Sequence, residues 1–202
     1  FTNVVLNNDF DLAPDGAGGV IMTAKQYSDT ISDIMAQRID AGGTVLWPAG
    51  GKGVCTAVGN QSAPVIIEDG SGGAFISWID PRDTDPADIA DIYVQRIDSN
   101  GNALWTPDGV LVCDAINILG PPDIINDNLG GTIVAWIDSR SGYDPDRLET
   151  YAQRLDSNGI IQWAPNGIRV SDISAYGQLE DMVSDGAGGA VLMLDKRYSS
   201  SS

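Results

Sequence analysis

One seven-residue phrase occurs three times at a fixed distance, and that periodicity restricts the fold more than any other feature. Ile34-Met35-Ala36-Gln37-Arg38-Ile39-Asp40 reappears as Ile92-Tyr93-Val94-Gln95-Arg96-Ile97-Asp98, and again as Thr150-Tyr151-Ala152-Gln153-Arg154-Leu155-Asp156. Gln37, Gln95 and Gln153 stand 58 residues apart at both steps, as do Trp47, Trp105 and Trp163, and Cys55, Cys113 and Ser171. A chain with such self-similarity is built from one supersecondary unit whose copies bury their faces against one another.

A second landmark precedes each phrase. It reads Asp15-Gly16-Ala17-Gly18-Gly19, Asp69-Gly70-Ser71-Gly72-Gly73, Asp127-Asn128-Leu129-Gly130-Gly131 and Asp185-Gly186-Ala187-Gly188-Gly189, at steps of 54, 58 and 58. The short first step marks a loop of variable length. The 202 residues therefore divide into repeats 1–55, 56–113 and 114–171 with a partial fourth, 172–202, read together as one repeat domain.

Within a unit the pattern predicts short strands. In the second, Pro64–Glu68 precedes the Asp69–Gly73 turn. Ala74–Ile79 follows, rich in the β-branched and aromatic residues that suit a pleated, half-buried surface. Asp91–Ile97 comes next, then a Ser99-Asn100-Gly101 hairpin turn whose Asn and Gly tolerate positive φ. Asn102–Cys113 holds a Pro107-Asp108-Gly109 turn and closes on Val110-Leu111-Val112-Cys113. No segment carries a helical period, so the fold class expected is all-β, with four strands per unit.

The run Gln95-Arg96-Ile97-Asp98-Ser99-Asn100-Gly101-Asn102-Ala103-Leu104-Trp105, together with Asp69-Gly70-Ser71-Gly72-Gly73-Ala74, resembles the β-propeller repeats, roughly sixty residues long, of secreted bacterial proteins. The resemblance spans essentially the whole chain. It implies a β-propeller-like array of four-stranded antiparallel blades, about three and a half repeats of 58 residues. Propellers ordinarily close with about four to eight blades. Three arrangements therefore stay open: an excerpt of a longer propeller, an open array, or a polymer whose edges are capped by neighbours. The excerpt is the expectation. The start, Phe1-Thr2-Asn3-Val4, has neither an initiator Met nor a basic and then apolar leader, and Ser199–Ser202 reads as the start of a linker.

Charge narrows the partners. With 28 acidic and 11 basic residues the net charge is −17, which disfavours nucleic acid and anionic membrane surfaces. No apolar run is long enough for a membrane-spanning helix. The absence of histidine removes His-based triads and His-ligated metals.

The candidate chemistry is sparse. Trp47, Trp105 and Trp163 follow the hairpin, and Trp78 and Trp136 close the second strand. Exposed, such rings stack on sugars, but their recurrence fits packing between units, and they are assigned a structural role. Trp78-Ile79-Asp80-Pro81-Arg82 and Trp136-Ile137-Asp138-Ser139-Arg140, with a loose echo in Leu194-Asp195-Lys196-Arg197, place Asp80 beside Arg82 and Asp138 beside Arg140 as structural ion pairs. Arg38, Arg96 and Arg154 are expected to join these same carboxylates. Asp83, Asp85, Asp88 and Asp91 form a carboxylate-dense loop, with Asp144, Asp146 and Glu149 as its counterpart; it is read as a solvated acidic loop, with a Ca²⁺ site as the alternative. No other cofactor is expected. Cys55 and Cys113 occupy one repeat position and are read as buried thiols rather than a disulfide. Asn60-Gln61-Ser62 is a formal glycosylation triplet.

No acidic cluster breaks the repeat symmetry, so no catalytic residue is assigned. The expectation is a non-enzymatic extracellular or cell-surface module binding a protein or glycan partner. The alternative is a self-assembling subunit of an extracellular filament or surface layer.

Overall fold

The computed structural model describes residues 9–28, 31–82, 91–114, 120–140, 148–171 and 176–197. Among them all regular structure is β, arranged as three four-stranded antiparallel sheets and a two-stranded ribbon. The first sheet runs β1 (Phe10–Pro14), β2 (Val20–Tyr27), β3 (Ser32–Ile39) and β4 (Lys52–Cys55). The second runs β5 (Ser62–Glu68), β6 (Ala74–Asp80), β7 (Asp91–Ile97) and β8 (Val110–Cys113). The third runs β9 (Asp123–Asn126), β10 (Thr132–Asp138), β11 (Glu149–Leu155) and β12 (Ile168–Arg169), and the ribbon is β13 (Tyr176–Ser184) with β14 (Ala190–Arg197). Strands neighbour one another in chain order in every sheet.

This meander gives each sheet two distinct ends. The turns β1–β2 and β3–β4, and their counterparts, lie at one end, here the turn end. The β2–β3 connections and the crossing to the next sheet lie at the other, the loop end. The last stretch of the second unit, Asn102–Cys113, is regular only over β8, the Val110–Cys113 segment after the turn; before it the chain makes a single bridge, Ile97 to Ala103.

Strands β6, β7, β10 and β11 are buried on both faces. Thr132-Ile133-Val134-Ala135-Trp136 accordingly reads as a nearly continuous apolar run rather than an alternating one, because another sheet lies against each face. The core is a series of layers between consecutive sheets. Ile21, Ile34 and Trp47 of the first sheet unit meet Ile66, Ile76 and Trp78 of the second. Phe75, Val94 and Trp105 meet Ile124, Val134 and Trp136 of the third, and Ile133 and Ala135 meet Met182 of the ribbon.

The Asp-x-x-Gly-Gly landmark is the β1–β2 type of turn. Oδ1 of Asp127 accepts the backbone N–H of Leu129 and of Gly131, each at 2.8 Å, and Asp127 N–H closes the loop on Gly131 O at 3.1 Å. The second glycine of the pair is required by approach: a Cβ on Gly131 would sit 2.2 Å from Leu155 O.

Candidate functional site

The residues that set the sequence apart build three constructions: a clamp inside each of the three full units, a tie at each end of the first two junctions between units, and a cleft where the first strands converge.

The clamp uses the repeated Gln-Arg pair. Gln95 is wholly buried; its Nε2 donates to Thr106 O at 2.8 Å, while Oε1 accepts the N–H of Arg96 and of Trp105, both at 3.0 Å. Gln37 and Gln153 make the same three bonds, to Pro48, Arg38 and Trp47 and to Ala164, Arg154 and Trp163. The Gln thus holds the unpaired stretch ahead of the fourth strand, where the backbone ladder gives out.

The following Arg corrects one expectation. Arg38, Arg96 and Arg154 do not reach Asp80 or Asp138; they pair with the turn carboxylates Asp15, Asp69 and Asp127, with Nη2 to Oδ2 distances of 2.9, 2.8 and 2.8 Å. The reason is topological. These arginines close the third strand at the turn end, whereas Asp80 and Asp138 close the second strand at the loop end. Asp15 is held below the usual carboxylate range, first by the Ala17 N–H and then, against some desolvation, by Arg38 and Gly19.

The same Arg ties its unit to the next. Arg38 Nη1 donates to Ser99 O at 2.9 Å and Arg96 Nη1 to Gly130 O at 3.3 Å. Trp47 Nε1 reaches Ser99 O at 3.4 Å, and Trp105 Nε1 reaches Ser157 O at 3.1 Å. Trp47 and Trp105 are buried at these junctions, and Trp163 is half-buried.

At the loop end, Asp80 accepts Trp78 Nε1 at 2.9 Å, Gln61 Nε2 at 3.2 Å and the Arg82 N–H at 3.0 Å, and forms an ion pair with the Arg82 guanidinium. Arg82 lies 3.8 Å over the Tyr93 ring and donates to Asp108 O at 2.8 Å and to Cys55 Sγ of the preceding unit at 3.2 Å. Asp138, Trp136, Arg140, Tyr151, Asn166 O and Cys113 repeat the arrangement. Burial pushes the Asp80 carboxyl up, but the bonds from Arg82, Trp78 and Gln61 outweigh it, and the net shift is downward. Burial also drives the Cys55 thiol up to about 12, so it is inert at neutral pH. Both cysteines are free thiols.

Of the proposed calcium ligands, Asp83, Asp85 and Asp88 lie outside the described residues, as do Asp144 and Asp146. Asp91 is buried at the start of β7, opposite Asp80. Glu149 accepts Arg169 Nη1 at 2.7 Å and the Tyr151 hydroxyl at 2.9 Å.

The cleft was not expected. It opens at the loop end, holds about 280 Å³, and is lined by Val65, Pro121, Pro122, Asp123, Trp136, Ile137, Leu179 and Glu180. Asp123 is its focal polar group. Its carboxyl is raised by desolvation first and then by the charges of Asp181 and Asp11. Asp11, Asp123 and Asp181 hold one repeat position, four residues before each turn Asp, with Val65 in the second unit. Each also accepts the N–H of the residue that follows it. That register, read across units, was the available signal for the site.

No family model matches the chain, and neither does any curated protein. Among solved structures it is similar to an endo-arabinase from Bacteroides thetaiotaomicron VPI-5482, at 12% identity over 91% of this chain and 72% of that one, with a TM-score of 0.49. The expectation that the chain is not an enzyme is corrected here, because the matched protein is one; absence of activity is not retained as a reading. At this level the likeness assigns no residue of this chain a catalytic role.

Proposed function

We propose that the chain is a β-propeller-type module of the extracellular space or cell surface that binds a glycan at the loop end, in the cleft around Asp123. The observation that carries this reading is the cleft itself: about 280 Å³ at the point where the first strands of consecutive units meet, with Asp123 and Glu180 on its wall. That volume is close to the lower end of the range of roughly 300–1,000 Å³ that small-ligand sites occupy. Carboxylates in a concave, partly apolar wall accept hydrogen bonds from hydroxyls, and the net charge of −17 turns away anionic ligands. On this reading the sheets are blades, and their buried tryptophans and ion pairs are scaffold.

A neutral-glycan array followed by calorimetric titration tests it. Binding that weakens about tenfold or more in Asp123→Ala supports the assignment. A glycan that binds the variant as well as the wild type places the site elsewhere, and a blank array leaves a protein partner as the reading to pursue. Incubating each bound glycan with the protein and analysing it for shorter products separates binding from turnover.

A further inference from the structure

The repeat makes the turn ends of the three junctions comparable, and they are not closed alike. Between the second and third units, Asn126 reaches back to the preceding turn: Nδ2 donates to Glu68 O at 3.2 Å and Oδ1 accepts the Asn128 N–H at 2.7 Å. At the next junction Asn128 Nδ2 donates to the Ser184 hydroxyl at 2.8 Å, and a Cβ on Gly188 would lie 2.6 Å from Leu129 Cδ1. Between the first and second units these positions carry other residues. Glu68 stands where the third unit has Asn126, and Gly16 and Ala17 stand where it has Asn128 and Leu129. A carboxylate only accepts hydrogen bonds, so Glu68 cannot make to Pro14 O the bond that Asn126 makes to Glu68 O. A Cβ on Gly70 would meet Asn126 Nδ2 at 3.7 Å, whereas one on the equivalent Gly16 would meet nothing within 4 Å. A cleft of about 500 Å³ is left there, walled by the Asp15-Gly16-Ala17 and Gly70-Ser71-Gly72 turns with Arg38, Glu68 and Ser99. Both walls belong to units packed on each other within the chain.

We propose that this turn-end cleft is a second binding site and takes an amino sugar, with the ammonium group on the Glu68 carboxylate and ring hydroxyls on Ser71 and Ser99. The charge of the walls selects the ammonium. Arg38 is already answered, with Nη2 2.9 Å from Asp15 Oδ2 and Nη1 donating to Ser99 O at 2.9 Å. The Glu68 carboxylate has no hydrogen bond or ion pair among the described residues, and neither have the Ser71 and Ser99 hydroxyls. One negative charge is thus left over, on a chain whose net charge of −17 already gathers cations. The rest of the lining selects the sugar. Ala17 is its single apolar side chain, so the hydrocarbon stem of a lysine would find little to pack on, while a hydroxyl-bearing ring finds donors and acceptors throughout. The volume lies within the roughly 300–1,000 Å³ of small-ligand sites. The site is at the opposite end of the sheets from the cleft around Asp123, so the two stand or fall separately.

Calorimetric titration of the 202-residue chain with the disaccharide of glucosamine, and with its N-acetylated form, is the test. At about pH 6 an amine of ordinary α-amino basicity carries its proton, whereas the acetylated form has no charge. The expected result is binding of the free amine that is about tenfold or more tighter than that of the acetylated sugar. Glu68→Gln loses about tenfold or more of that affinity, and so does Ala17→Leu, which sets at this junction the side chain that Leu129 sets at the third. Both positions are exposed, and unchanged urea midpoints show that the variants are folded. Asp123→Ala binds as the wild type does. No binding at about millimolar disaccharide overturns the proposal, as does equal affinity for the two sugars. Affinity that survives Glu68→Gln but is lost in Asp123→Ala overturns it in favour of the loop-end cleft. A lysine-containing peptide that binds at Glu68 more tightly than the disaccharide overturns the choice of a sugar.

Discussion

At the scale of single residues, Asp80 and Asp123 behave oppositely toward protons. Asp80 is depressed in the fold, so its ionised form stabilises the protein above the unfolded Asp value of about 3.9, and that contribution is lost as pH falls through the lower folded value. Urea unfolding of wild type and Asp80→Asn is therefore expected to differ at neutral pH, by about 3 kcal/mol since Arg82 is left uncompensated, and the difference to shrink as pH falls below the unfolded Asp value. Asp123 is raised, so its contribution is favourable at low pH and is lost as pH rises through its folded value. Asp123→Asn removes the desolvation cost of the ionised carboxylate first and then the repulsion from Asp181 and Asp11, and is expected to raise Tm by roughly 1–3 °C at neutral pH, read by calorimetry. Gln95→Ala strands Thr106 O, Arg96 N–H and Trp105 N–H, and a loss of about 2–3 kcal/mol in urea unfolding is expected.

At the scale of elements, much was legible because strands and turns obey short-range rules. Asp91–Ile97 is a strand within the bounds its residues suggest, and the Asp-x-x-Gly-Gly segments are turns. What escaped the sequence was pairing at a distance. Nothing in the spacing of Arg96 says whether it reaches Asp80 or Asp69, since the choice depends on which end of the sheet each occupies. The cleft escaped for the same reason: Asp11, Asp123 and Asp181 are ordinary strand residues until their first strands are placed side by side. Hairpin glycines carry weight between units as well as within them. Gly159 has φ +77° and its added Cβ would lie 2.8 Å from Trp105 of the preceding unit. Gly159→Ala is expected to cost at least about 2 kcal/mol and to increase Trp105 solvent quenching, because both the turn and the junction must shift.

For the whole molecule, charge and layering pull against each other. A surplus of 17 negative charges on 202 residues repels itself, while the layers between sheets and the partly buried ion pairs are screened only weakly. Raising salt from about 10 mM to about 0.5 M is expected to raise Tm by a few degrees, measured by calorimetry; a fall would mean that the Arg38, Arg96 and Arg154 pairs outweigh the general repulsion.

The ties between units have one further property. Their acceptors are main-chain oxygens wherever an Arg or Trp crosses a turn-end junction: Ser99 O, Gly130 O and Ser157 O. A carbonyl is present whatever residue bears it. A gene segment encoding one unit can therefore be duplicated, deleted or exchanged, and the new neighbour still offers what the old one offered, while its loops drift freely in sequence. Modular growth of such a chain needs no compensating mutation at these acceptors so long as the incoming hairpin keeps its glycine, the counterpart of Gly159 against Trp105, which is the kind of tolerance that lets a period of 58 residues persist while the loops between its landmarks diverge.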